Sequence, residues 1–269
     1  MARCDLSVVI PAYNERDRLP PFLVQIREFF DHAGFDYNVI VVDDGSTDGS
    51  TDWLEEVSSN WKQLTVVTLP CNSGKGAAVR TGVLSANGKV ILVTDADGAT
   101  PISEVTHLLA LIESGHDIAC GSRLAGEKTR RSGLRRVSGI IFSWAVWVCS
   151  GVPIRDTQCG FKIFCGDVAQ QLFGLSQENG FLFDVEILLL AHLQGFRLGE
   201  TQVEWTEIPG SKVRLVRDGI RMLHQLFGLR SRAIRLLAIC PRMCYSQSHR
   251  DELASIAPNV LSTSGPPEL

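Results

Sequence analysis

Apolar runs of strand length recur along the first half of the chain, and stretches with helical spacing separate them. Leu6-Ser-Val-Val-Ile10 is the first run, and it stops at Pro11-Ala-Tyr-Asn-Glu15. Leu23, Ile26 and Phe30 then fall on one face of a helix predicted over residues 19–30. Val39 to Val42 reads as a second strand, and the N-cap types in Thr47-Asp-Gly-Ser50 open a helix through Leu54 and Val57. Thr65 to Leu69 reads as a third strand. Asn72-Ser-Gly-Lys-Gly76 is a glycine turn leading into a helix through Ala77, Val79, Val83 and Leu84. A fourth strand, Val90 to Thr94, precedes a helix entered at Pro101 and running from Ile102 to Ile112, and a fifth follows at Asp117 to Gly121.

Strands 1 to 4 are continuous apolar runs rather than alternating ones, and helices separate them. That pattern belongs to an α/β protein whose mostly parallel, Rossmann-like sheet is flanked by helices on both faces. The second half is less regular. A basic stretch from Glu127 to Arg136 leads into an apolar segment at Ile140, and Asp156 to Phe164 reads as a turn into a short strand. Phe181 opens an apolar helix to Leu193, and Leu198 to Trp205 alternates weakly, as an edge strand does. From Val213 to Leu237 a basic amphipathic helix pattern runs, with a break near Gly228. The expected organisation is a catalytic unit over residues 1–210, a basic helical segment over 211–245 next to a membrane, and a disordered tail over 246–269, rich in Ser, Pro and Asn.

Composition narrows the reading. The chain has 269 residues, 45% of them hydrophobic and 21% charged, which suits one α/β unit with appendages. A net charge of -4 gives no support for nucleic-acid binding. Eight scattered cysteines without a CxxC pair argue against zinc and for reduced thiols in a cytosolic protein. No signal peptide is read at Met1 to Leu6, and the most lipid-like stretch, Gly139 to Val152, is shorter than the ~20 residues of a spanning helix. The expected location is therefore cytoplasmic, peripheral on the cytoplasmic face of a membrane.

The chemistry collects at strand ends. The fourth strand stops on Asp95-Ala-Asp97, two carboxylates with one residue between them. Such a pair repels itself unless a cation intervenes, and a hard divalent cation takes carboxylate and phosphate oxygens together. The second strand repeats the pattern at Asp43-Asp44-Gly45. Ligands of open α/β sheets bind at the carboxyl ends of the strands. Asn14 and Glu15, Asp43 and Asp44, Asp95 and Asp97, and Ser122 and Arg123 all fall at that edge. They imply a nucleotide site with a bound metal.

Val8 to Glu15, Val41 to Asp48 and Asp95-Ala-Asp97 resemble the catalytic domain of glycosyltransferase family 2, with the GT-A fold. A closer resemblance, to the dolichyl-phosphate β-glucosyltransferase subgroup, rests on several further motifs. They are Asn72 to Val79, Asp95 to Thr100, Gly121-Ser-Arg123, Arg155 to Lys162, Phe183-Asp-Val-Glu186 and Trp205 to Lys212. It spans about residues 6 to 230. Gln158 to Lys162 together with Trp205 to Glu207 is its most specific part. Eukaryotic members usually begin with a membrane-spanning helix, and no such helix is read in this chain, which leaves open a bacterial relative acting on a shorter polyprenyl phosphate.

The resemblance implies an inverting transfer of glucose from UDP-glucose to a polyprenyl phosphate of the dolichyl type, with Mg²⁺ or Mn²⁺ as cofactor. Asp95 and Asp97 would hold the metal, with Asp97 the direct ligand. Pro11, Ala12, Tyr13, Glu15 and Ala96 would line the nucleotide pocket, and Asp43 would accept from uracil or ribose. Lys75 would lie near the nucleotide, where a solvated surface lysine is the alternative. Arg123, Arg135 and Lys212 are candidates to bind phosphate. Gln158 and Lys162 would close the donor pocket. Asp184 and Glu186 suit either a sugar contact or a helix N-terminus. A polyprenyl phosphate is already anionic, so it needs positive charge rather than a general base. Two other readings stay open: a mannosyltransferase using GDP-mannose, and a nucleotide-binding module without transfer activity, which the missing GxGxxG turn disfavours.

Overall fold

The structure, a computed structural model, describes residues 3–123, 146, 150–208, 226 and 228–238. Strands β1 (Leu6–Ala12), β2 (Tyr37–Asp43), β3 (Leu64–Thr68), β4 (Val90–Val93), β5 (Ile118–Ser122), β6 (Lys162–Cys165) and β7 (Leu198–Gln202) form one sheet in the order β3-β2-β1-β4-β6-β5-β7. Only β6 runs antiparallel to its neighbours. Helices α1 (Leu19–Ala33), α2 (Ser50–Ser59), α3 (Lys75–Ser85), α4 (Val105–Glu113), α5 (Gly166–Leu175) and α6 (Phe183–Leu193) flank it, with a 3₁₀ turn at Ile102–Glu104. This is the mostly parallel α/β sheet the apolar runs predict.

The elements follow from local chemistry. Helix α1 starts on Pro20 and Pro21, whose fixed φ suits a first turn. It ends at Gly34, which takes the left-handed conformation at φ 69°. Its buried face, Leu19, Phe22, Leu23, Ile26 and Phe30, has the 3–4 spacing of one helical stripe. Val8, Val9, Ile10, Val39, Val41 and Val42 are all fully buried. Each such side chain stabilises the fold by about 1.5–3 kcal/mol. Helix α5, at Gly166–Leu175, is not among the elements read from the sequence. Its buried Val168, Ala169, Leu172 and Phe173 nevertheless carry helical spacing. The segment from Ile102 to Ile112 divides into the 3₁₀ turn and α4.

Topology explains where the site lies. The chain winds outward from β1 through β2 to β3, then returns to place β4 on the other side of β1. The strand order reverses at the β1/β4 junction, and a crevice opens there beyond the carboxyl ends. Strand β6 enters beside β4 in the opposite sense, with Lys162 opposite Val93. The turn before β6 therefore reaches the same edge as the residues after β4. Strand β7 is an edge strand, as its weak alternation predicts. Among the described residues no helix is long and apolar enough to cross a membrane. Cys4, Cys71, Cys120, Cys159 and Cys165 are free thiols.

Candidate active site

Asp95 and Asp97 leave β4 at the reversal point, and each carboxylate faces a cation. Lys75 Nζ, at the first residue of α3, lies 2.5 Å from Asp95 Oδ1. Arg18 Nη1 lies 3.7 Å from Asp97 Oδ2. Burial works against ionisation of Asp95, but Lys75, with help from Arg123 and Lys162, holds its carboxyl below the usual range. Asp97 goes the other way. Burial and then the charge of Asp95 push it up, and neither Arg18 nor Lys75 cancels this. Asp97 Oδ1 accepts from the Ala99 amide at 3.1 Å. Two adjacent hard oxygen donors, one of them held ionised, fit Mg²⁺ or Mn²⁺. Among the described residues no group of three His, Cys, Asp or Glu side chains forms. The pair would thus supply part of a coordination shell, as where substrate phosphates complete it.

Gly160 backs this pair. A Cβ there would collide with the Asp95 carboxylate, so a larger residue at this turn would have to displace that side chain. Thr94, Asp95, Thr100, Gly160, Phe161 and Trp205 line a small recess of about 10 Å³ beside the carboxylate. Thr206 N donates to Ala99 O at 2.9 Å, fixing the Trp205 segment to the loop after Asp97.

The loops after β1 and β2 are stapled together. Asn14, with φ 53°, accepts from Thr47 N at 2.7 Å, and its own amide donates to Ser46 Oγ at 2.8 Å. Pro11 and Tyr13 are half-buried, whereas Ala12 and Ala96 are buried. Glu15 is buried in a two-point pair with Arg18, at 2.7 and 2.5 Å. Arg18 thereby bridges the β1 loop to Asp97.

Asp43 is the residue expected to accept from uracil or ribose. It is fully buried; one oxygen accepts from the Ser46 amide and hydroxyl, and the other accepts from Thr51 Oγ1. A carboxylate at the end of a buried strand needs polar partners, and these shape the loop. Asp44 accepts from Ser73 N at 2.7 Å and Gly74 N at 2.9 Å, which anchors the loop before α3. The glycine turn before α3 also departs from a phosphate loop. Gly76 N and Ala77 N both donate to Asn179 O, at 2.8 and 3.3 Å.

Arg123, a candidate to bind phosphate, has its fork on Asp156. Nε and Nη2 each donate to Asp156 at 2.7 Å, the backbone amide donates to the same carboxylate at 3.0 Å, and the guanidinium lies 5.9 Å from the Trp205 ring centre. Burial opposes the Asp156 charge, yet Arg123 holds that carboxyl below the usual range. Gln158 Nε2 donates to Phe181 O at 3.1 Å, so it joins this turn to the entry of α6. Lys162 is buried in a pair with Asp184 at 2.6 Å, with Cys159 O as its second acceptor. Glu186 is fully buried and accepts from Ser176 Oγ, Gln177 N and Glu178 N, which favours the structural reading of that residue. Lys212 and Arg135 lie outside the described residues. Arg18 and Asp156 were not among the sequence candidates. Only the one-turn spacing of Glu15 and Arg18 could have pointed to the first.

The sequence profile described as glycosyl transferase family 2 matches residues 7–165. A dolichyl-phosphate beta-glucosyltransferase of Homo sapiens is 38% identical over 226 residues, 77% of this chain and 69% of the relative. One of Saccharomyces cerevisiae is 36% identical over 246 residues, 84% and 74% of the two chains. The fold is similar to glucosyl-3-phosphoglycerate synthase from Mycobacterium tuberculosis, in complex with Mn²⁺, uridine-diphosphate and phosphoglyceric acid. That comparison has a TM-score of 0.60 and 17% identity, over 86% of this chain and 78% of that one. It is also similar to a mannosyltransferase from Pyrobaculum calidifontis in complex with GDP-Man and Mn²⁺, with a TM-score of 0.54 and 19% identity over 97% and 81%.

Proposed function

This chain belongs to glycosyl transferase family 2, within the dolichyl-phosphate beta-glucosyltransferase group, and we propose that it moves glucose from UDP-glucose to a polyprenyl phosphate with inversion at the anomeric carbon. The observation that carries the site assignment is Asp95-Ala-Asp97 at the reversal of strand order, with Lys75 and Arg18 facing its two carboxylates. The donor and acceptor follow from the relatives' printed names and from the subgroup motifs. Solved GT-A neighbours that hold Mn²⁺ beside a nucleotide support a divalent cation in general.

Asp95 and Asp97 would hold Mg²⁺ or Mn²⁺, which when bound neutralises charge on the leaving diphosphate. Tyr13, Pro11 and Ala12 offer a wall for the base. Asp43, acting through Ser46 and Thr51, keeps that wall in shape. Arg18 fixes Glu15 and leans toward Asp97, so the pocket wall and the carboxylate pair move together. Arg123, paired with Asp156, is held beside the Trp205 ring. An anionic acceptor phosphate is already deprotonated and needs no base.

Purified protein incubated with dolichyl phosphate and either UDP-glucose or GDP-mannose tests the assignment. A β-linked glucosyl lipid with release of UDP is the expected product. Preferential turnover of GDP-mannose would move the chain to a mannosyl donor.

A further inference from the structure

Resting on the reading of Asp95 and Asp97 as the cation-binding pair, we infer that Lys75 is an internal counter-ion. It occupies Asp95 while the site is empty and exchanges onto the donor's diphosphate when cation and nucleotide load. The contact it must give up is direct: Nζ is 2.5 Å from Asp95 Oδ1. A lysine and a divalent cation at contact with one carboxylate repel each other strongly, so loading of Asp95 requires Lys75 to leave it.

The surroundings permit only the side chain to move. The Lys75 backbone is clamped on both sides, by Gly74 N to Asp44 Oδ2 at 2.9 Å and by Gly76 N to Asn179 O at 2.8 Å. The side chains of Lys75 and Asp95 are 24% and 42% exposed, so neither is sealed in place. The neighbouring carboxylate, Asp184, is already paired with Lys162 at 2.6 Å. Lys162 itself is 3% exposed and held by two acceptors, a fixed charge by contrast. A displaced Lys75 therefore finds its next anion on the incoming ligand. A nucleoside diphosphate on the same cation supplies phosphate oxygens within reach of a four-carbon stem.

The exchange makes cation and nucleotide binding mutually reinforcing. Cation alone must displace Lys75 without compensation, whereas cation with diphosphate gives the ammonium a new partner. Because coupling is reciprocal, each ligand strengthens the other by the same factor.

Titration calorimetry of Mn²⁺, with and without UDP and in parallel GDP, on wild type, Lys75→Gln, Lys75→Arg and Asp97→Asn tests this, with thermal melts to confirm folding. In Lys75→Gln, Mn²⁺ alone should bind about tenfold tighter, since a competing positive charge is gone. The nucleotide in the presence of Mn²⁺ should bind about tenfold weaker, so the coupling collapses. Lys75→Arg should stay close to wild type in both. Mn²⁺ affinity that is unchanged or lower in Lys75→Gln overturns the exchange and leaves the metal assignment standing. Absence of Mn²⁺ binding in wild type, or binding unaltered by Asp97→Asn, overturns the site assignment and the exchange with it.

Discussion

Asp97 and Asp95 differ in charge environment although one residue separates them. Lys75 keeps Asp95 ionised, whereas Asp97 sits high because burial and the charge of Asp95 disfavour its anion. Replacing Asp97 with Asn removes an anionic ligand while keeping its shape. The variant should fold normally, and transfer should fall by at least about a hundredfold, the scale of losing one preorganised charge contact. Wild type should lose activity in EDTA and regain it with Mg²⁺ or Mn²⁺; full activity in EDTA would sink the metal assignment. A second residue-scale test concerns Asp156. Its folded carboxyl lies below the ordinary carboxylate range, so the stability from its pairing with Arg123 is fully present above that range and is lost only as pH falls below it to the carboxyl's own lowered value. Asp156→Asn removes the anionic partner of a half-buried guanidinium, at a cost of about 1–3 kcal/mol. Melting temperature against pH should therefore show a large gap between variant and wild type at neutral pH, closing in acid as the wild-type carboxyl protonates. A gap that stays constant down to acid pH would refute the pairing as its cause. Asp95 and Asp97 were legible in the sequence because two acids end an apolar run. Arg123 and Asp156 lie 33 positions apart, and no spacing rule connects residues that meet only through the fold.

Helix α3 owes its position to a segment far along the chain. Asn179 O accepts from the Gly76 and Ala77 amides in its first turn, and Arg80 reaches back to Ser176 O, Glu178 O and Asn179 Oδ1. Gly76 is required at that contact, since a Cβ would collide with Glu178 O and lie 2.8 Å from Phe183 Cβ. Gly76→Ala should lower stability by about 1–3 kcal/mol, as overpacking does. It should also weaken donor binding, because Lys75 is the adjacent residue. Chemical denaturation with a parallel KM measurement checks both, and a variant equal to wild type in each would show that the loop yields without cost. The parallel strands were legible because each is an apolar run ending in polar residues. The pairing of β6 was not, since nothing local tells a strand that it will insert antiparallel between β4 and β5. Helix α5 was legible in principle through Val168, Ala169, Leu172 and Phe173, but it begins and nearly ends on glycine, which hides a helix from a reading based on punctuation.

At the scale of the whole molecule, the question is how a chain whose described residues include no membrane-crossing helix meets a lipid acceptor. Residues 211–242 hold eight basic side chains and one acid, Asp218. The structure reassigns two of them. Arg230 donates to Ser150 O at 3.0 Å, and Arg232 lies 3.0 Å from Glu178 and 3.3 Å from Glu186. These two turn into the catalytic unit rather than outward. Leu229 and Ala233 are buried on the same side of that helical stretch, whereas Ile234 is 52% exposed beside an exposed Arg235. The Arg232 contacts fall on Glu178, next to the Asn179 carbonyl that seats α3, so the helical stretch and the Lys75 turn share one support. A membrane engaged by Ile234 and Arg235, together with Lys212, Arg214, Arg217, Arg221 and Arg242 outside the described residues, would thus be held near the site that needs the lipid phosphate. Each basic residue near an anionic surface contributes about 1 kcal/mol, screened by salt. Full-length protein should therefore co-sediment with phosphatidylserine-containing liposomes at low salt and be released at high salt. Ile234→Ser with Arg235→Glu should reduce the sedimented fraction several-fold. Arg232→Met, whose charge faces inward, should leave sedimentation unchanged while lowering hydrogen-exchange protection over residues 176–180. Equal recovery in the supernatant with and without anionic liposomes at low salt would rule out docking through this surface. Loss of sedimentation in Arg232→Met alone would show instead that the inward-facing arginine is part of the membrane contact.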